Sequence, residues 1–154
     1  MATTSHDEDR VKEATPSAIN EKIANDAWQR VASYMGKSEA EISARIHELN
    51  KEWDVERVLG VNMTTLGLSG MSGYALTKNR NWLILPTVVL SFFMQHAVQG
   101  WCPPLPILRK LNIRTSKEIE QEKYALKLIR GDFDQLENVS AAEMDKLKQA
   151  LKKN

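Results

Sequence analysis

VLGVNMTTLGLSGMSGYAL (58–76), TKNRN (77–81) and WLILPTVVLSFFMQHAVQGW (82–101) are the consecutive stretches on which the fold turns. Residues 58–76 carry no charge and span roughly 28 Å as a helix at about 1.5 Å per residue. Residues 82–101 are likewise uncharged and span roughly 30 Å, the thickness of a hydrocarbon layer. Nothing in either segment alternates as a half-buried strand would. A polar connection as short as 77–81 makes the two helices an antiparallel hairpin. Pro86 falls in the first turns of the second helix, where few hydrogen bonds are lost. Trp82 and Trp101 bracket that helix and Trp53 precedes the first, so the three read as interface anchors. Thr65, Ser69 and Gly73 recur every fourth residue, with Gly60 on an adjacent line, a pattern that lets helix backbones approach closely. The expected fold class is all-α: an integral membrane two-helix hairpin with amphipathic cytoplasmic helices on both sides.

Charge is segregated around that hairpin. Lys and Arg number 21 against 20 Asp and Glu, for a net charge of +1, and between residues 58 and 108 the charged side chains are Lys78 and Arg80. Mean hydropathy is −0.42, an average that conceals the split. The near balance gives no electrostatic footprint for nucleic acid. Arg45, Lys51 and Arg57 before the hairpin, with Arg109, Lys110, Arg114 and Lys117 after it, outnumber the two cations of the connection. Positive-inside counting then places both termini in the cytoplasm, on a multi-pass membrane protein. The N-terminus has no apolar core of a cleavable signal.

Outward from the hairpin, residues 1–14 are polar and expected to be a disordered tail. Residues 15–57 form amphipathic cytoplasmic or interfacial helices. Thr15 and Pro16 start one, with Ile19, Ile23, Ala27 and Val31 on one side; Ser38 and Glu41 form the capping box of the next, with Ile42, Ile46, Leu49 and Trp53 in line. Residues 102–133 form an interfacial segment and a helix capped by Thr115 with Glu118, carrying Ile119, Lys123, Leu126 and Ile129. Residues 134–154 are a tail with a short helix over 141–152, begun by Ser140 and Glu143. The glutamates of these arms read as solvated.

Chemistry concentrates at HAVQGWCPP, residues 96–104. Gln95, His96 and Gln99 line the last turns of the second segment as a polar intramembrane stripe, with Asn62 the partner best matched in depth to His96 or Gln99. Cys102, the chain's single cysteine, excludes an internal disulfide and is the weak candidate for a catalytic thiol, with Arg109 and Lys110 near enough in sequence to favour a thiolate. His96 and Cys102 are too few for a closed metal site, so no metal and no cofactor is expected. No histidine–carboxylate relay, phosphate loop or carboxylate pair is visible, and the expectation is of a protein that is not an enzyme.

EWDVERVLGVN, the glycine-bearing first segment, and H-x-x-x-G-W-C-P-P-L-P-I-L-R-K-L followed by R-T-x-x-E-I-E-x-E-K-Y-A-L-K-x-x-R-G-D-F resemble the YgaP-like transmembrane domain family. The resemblance covers roughly residues 42–133 and centres on Gly100, Cys102 and Pro103. It implies a small bacterial inner-membrane domain of unknown activity, a two-helix hairpin, both termini cytoplasmic, often a dimer, and found elsewhere fused to rhodanese domains. The expected partners are membrane lipid, a second copy of the chain and a larger membrane protein complex. Three functions compete. The first is a structural or scaffolding component acting through protein–protein contacts. The second is a sulfur-transfer or thiol-relay component using Cys102. The third is a small oligomeric transporter or channel.

Overall fold

The computed structural model describes residues 9–133, and the tail helix expected at 141–152 lies outside them. Within them capping side chains set most of the helix boundaries. Asp9 accepts the Lys12 N–H and starts α1 (Arg10–Glu13). α2 (Ser17–Ser33) follows Pro16 without a side-chain cap, since the Thr15 hydroxyl donates back to the Val11 carbonyl instead. Ser38 and Glu41 complete a reciprocal box at the start of α3 (Glu39–Leu49). Asp54 accepts the Arg57 N–H and opens α4 (Val55–Thr77), so α3 and α4 are separate helices. Lys78 takes a left-handed conformation, a 3₁₀ turn follows at Arg80–Leu83, and α5 (Ile84–Gln99) runs back along α4. Gly100, at φ +74°, ends α5. The short α6 (Leu105–Lys110) follows, and a second box, Thr115 with Glu118, starts α7 (Ser116–Arg130).

Two apolar clusters hold these helices. Val31 of α2, Ile42, Ile46 and Leu49 of α3, and Ile119 and Leu126 of α7 close around one centre. Val11 of α1, Val55, Leu59 and Met63 of α4, Val89 of α5, Leu105 of α6, and Cys102 in the connection between α5 and α6 form the other. Burial of such side chains stabilises by about 1.5–3 kcal/mol each. The apolar faces of the flanking helices are therefore covered by one another and by the base of the hairpin.

Charged side chains complete the joint. Arg109 is buried, and its guanidinium donates to both oxygens of Glu118 at 2.7 and 2.8 Å, to Asn20 Oδ1 at 2.9 Å and to the Ile113 carbonyl at 3.1 Å. Glu122 lies at the centre of α7's buried face. It accepts from Arg30 of α2 at 3.2 Å, from Arg45 of α3 at 3.0 and 3.2 Å, and from Arg114. Arg114 also donates to Glu52 at 2.6 and 2.8 Å, and its carbonyl accepts the Val55 N–H at 2.9 Å. The entry of α4 is thereby fastened to α7. Glu118 and Glu122, read in the sequence as solvated, are core groups.

The expectation of a two-span membrane hairpin with cytoplasmic arms is corrected on these grounds. Among the described residues one helix, Arg80–Gln99, is long and apolar enough to cross a membrane. The stretch 58–76 does not qualify as a second. Asn62, Thr64, Thr65, Ser69 and Ser72 dilute it, and its helix begins among Glu56 and Arg57. Its first turns are also occupied, since Val55 and Leu59 are fully buried in the cluster shared with α1 and α6. From Asn62 to Thr77 only roughly 24 Å of helix remains, short of about 30 Å. The architecture is a bundle of seven α-helices among the described residues, tied by ion pairs. A multi-pass inner-membrane location and a lipid partner lose their second span.

The proposed dimer surface is corrected as well. A Cβ on Gly73 would collide with the Trp82 ring, and one on Gly70 with Pro86 and the Trp82 carbonyl. The close approach is thus made within the chain, between α4 and the start of α5. Outward, α4 and α5 leave Leu68, Met71, Leu76, Leu90, Met94 and Val98 exposed.

Candidate functional site

A polar cleft of about 330 Å³ opens where α1, the first turn of α4, the last turn of α5 and the start of α7 meet. Each wall has a local cause. Asp54 caps α4 and sets Glu56 in its first turn, while its other oxygen accepts the Ser116 hydroxyl. The φ of Gly100 brings the chain so close to α1 that an added Cβ would strike the Arg10 backbone. Arg10 in turn donates to the Ala97 carbonyl at 2.5 Å and the Val98 carbonyl at 3.4 Å, satisfying the open end of α5. Asp9 accepts the Thr115 hydroxyl at 2.5 Å and so draws α1 onto α7.

His96 and Glu56 pair across the floor. The imidazole is 2% exposed, and its Nε2 lies 3.3 and 3.2 Å from the two carboxylate oxygens of Glu56. Nδ1 is buried, with no partner among the described residues. The Glu56 side chain is 59% exposed, so its carboxylate faces the cleft with accepting capacity left over. This histidine–carboxylate pair was missed in the sequence because its members are forty positions apart. The available signal was an unmatched Glu at the start of one apolar helix and a His near the end of its antiparallel neighbour.

The remaining predicted residues lie elsewhere. Gln95 is half-buried and donates to the exposed Gln99 at 3.5 Å, while His96 points inward. Asn62 is not the histidine's partner; it lines an apolar groove with Leu66, Phe92 and Leu108. Thr65 and Ser69 are exposed, the Ser69 hydroxyl donating to the Thr65 carbonyl at 2.7 Å, and Gly60 faces open space. Trp53 is 46% exposed beneath the Arg57 guanidinium, Trp82 packs on Gly73, and Trp101 is 38% exposed. Pairing of His96 inward leaves no continuous polar stripe for transport.

Cys102 is buried in the core at 1% exposure. Burial pushes its thiol up, the Leu105 N–H acts in the opposite sense, and the Glu56 carboxylate raises it further. Arg109 is committed to Glu118 and cannot turn back to favour a thiolate. A sulfur relay through Cys102 is therefore corrected, and so is a membrane scaffold built on uncovered arms, because the arms cover one another. Among the described residues no three His, Cys, Asp or Glu side chains are placed to hold a metal ion. No family model matches the chain, and neither a curated protein nor a solved structure matches it.

Proposed function

We propose that the chain is a helical binding domain, not an enzyme, whose cleft at Glu56 and His96 takes a small ligand through a protonated amine. The observation that carries this reading is the Glu56 carboxylate, held on one edge by a buried histidine and open to the cleft on the other. An ammonium brings three donors to that acceptor, and Asp9, which also lines the cleft, supplies a second carboxylate. Of the two cations that line the cleft, Arg10 is turned to the α5 carbonyls and Lys117 is engaged in an interaction of its own. Binding is favoured over catalysis because the Ser116 hydroxyl is donated to Asp54 and the Cys102 thiol is buried, so neither is free to attack a bound molecule.

The test is calorimetric titration of the folded chain with ethylamine and ethylenediamine, against ethanol and acetate as neutral and anionic controls. Amines are expected to bind with dissociation constants on the order of 1 mM. Glu56→Gln should abolish the heat while circular dichroism stays unchanged. Equal binding of acetate, or full amine binding by Glu56→Gln, overturns the reading.

A further inference from the structure

A second cleft lies on the other side of α7, where that helix crosses α2. Ala24 and Ala27 on α2 face Ala125 on α7, and three methyl-sized side chains at one crossing leave the space between the helices unfilled. Ile23 and Val31 close the apolar floor, while the Trp28 ring stands at the rim, 63% exposed instead of filling the gap. The volume is about 160 Å³. A cavity of about 150 Å³ lined by apolar side chains accepts one benzene ring.

The charge around the opening selects further. Glu118 and Glu122 border the cleft, but Arg109 neutralises the first, and Arg30, Arg45 and Arg114 the second. Lys12 also lines it, and among the described residues no hydrogen bond or ion pair holds its ammonium. An apolar slot for one ring, an exposed indole to stack on it and a cation at its edge fit one kind of molecule.

We infer that the α2–α7 cleft binds a small aromatic carboxylate, its ring between Ala27 and Trp28 and its carboxylate toward Lys12. Ring burial supplies the affinity, and the ammonium supplies the preference for an anion. The site is separate from the Glu56 cleft, so either can stand without the other.

Benzoate, phenol and benzylamine are the probes, titrated into the isotopically labelled chain and followed by the Trp28 indole N–H and the amides of Ala24, Ala27 and Ala125. Benzoate should saturate these signals, phenol should bind more weakly and benzylamine least. Ala27→Leu, which fills the slot, should weaken benzoate by about tenfold or more, equivalent to about 1.4 kcal/mol. Ala24→Leu, at an exposed position, provides the same test should the first variant melt early. Lys12→Met should remove the preference of benzoate over phenol while leaving phenol unchanged. Equal binding of benzylamine, unchanged affinity in both leucine variants, or shifts centred on Glu56 and His96 would overturn the inference.

Discussion

Replacing Glu122 by glutamine keeps the shape of the side chain and removes the charge on which three arginines converge. Its side chain is 1% exposed, with Arg114 at 2%, Arg45 at 18% and Arg30 at 32%. Breaking a buried pair by removing one partner costs about 3–5 kcal/mol, because the remaining charge stays buried. Arg114 keeps Glu52 and Arg45 keeps Glu48, which places the expected loss near the lower end, at about 3 kcal/mol. For a chain of this size that corresponds to a fall in Tm of about 10 °C. The pH dependence follows from the same contacts. Burial pushes the Glu122 carboxyl up, but the hydrogen bond from Arg30, the field of Arg114 and the bonds from Arg45 and Arg114 outweigh it and hold it below its ordinary 4.5. The folded chain therefore takes up this proton less readily than the unfolded one. The stabilisation is fully present above about pH 4.5 and is lost as pH falls through the lower folded value. Guanidinium unfolding of both chains, followed by far-ultraviolet circular dichroism from pH 7 to pH 3, measures both effects. The difference between the chains should be largest near neutrality and shrink in acid. A loss below about 1 kcal/mol at pH 7, the range of exposed ion pairs, would refute the reasoning.

Other expectations follow from particular positions. Gly67→Ala should stabilise by roughly 0.5–1 kcal/mol, since an added Cβ there meets nothing, whereas Gly70→Ala should destabilise by roughly 1–3 kcal/mol through collision with Pro86; thermal melts of the two variants should move in opposite directions. Gly100→Ala combines a left-handed φ of +74° with a clash on the Arg10 backbone, so amide exchange over residues 10–14 should rise at a cost of roughly 1–2 kcal/mol. Cys102 should react with iodoacetamide about a hundredfold more slowly, or less, in the native chain than in guanidinium, because the thiol is buried and pushed up. Rapid native labelling would contradict that placement.

Local signals were the legible part. Ser38 with Glu41 and Thr115 with Glu118 stand three residues apart, and both pairs form the boxes their spacing predicts. Ile23, Val31, Ile42, Ile46 and Leu49 recur at helical spacing and are buried. What local pattern does not encode is which distant charges meet. Arg45 and Glu122 are 77 positions apart, and Arg114 and Glu52 are 62 apart. Read without their partners, Arg45, Arg109 and Arg114 counted as topology signals of a membrane protein, when each is bound to a glutamate of another segment. One local clue was available. Glu118, Ile119, Glu122 and Leu126 share a face of α7, so a carboxylate standing between core residues was itself a mark of burial. Glu56 and His96 needed the hairpin register, and that register depends on Gly70 and Gly73 admitting Pro86 and Trp82.

The most direct measurement of the proposed binding role is the carboxyl ¹³C resonance of Glu56, assigned by Glu56→Gln and recorded together with the ring ¹⁵N signals of His96 during titration with ethylamine at constant pH. A saturable shift is expected at the Glu56 carboxyl and at His96 Nε2, with the Glu118 and Glu122 carboxyl signals unmoved. A Glu56 resonance that stays fixed while amine saturates the chain, or one that moves no more than the exposed Glu48 and Glu120, would contradict it.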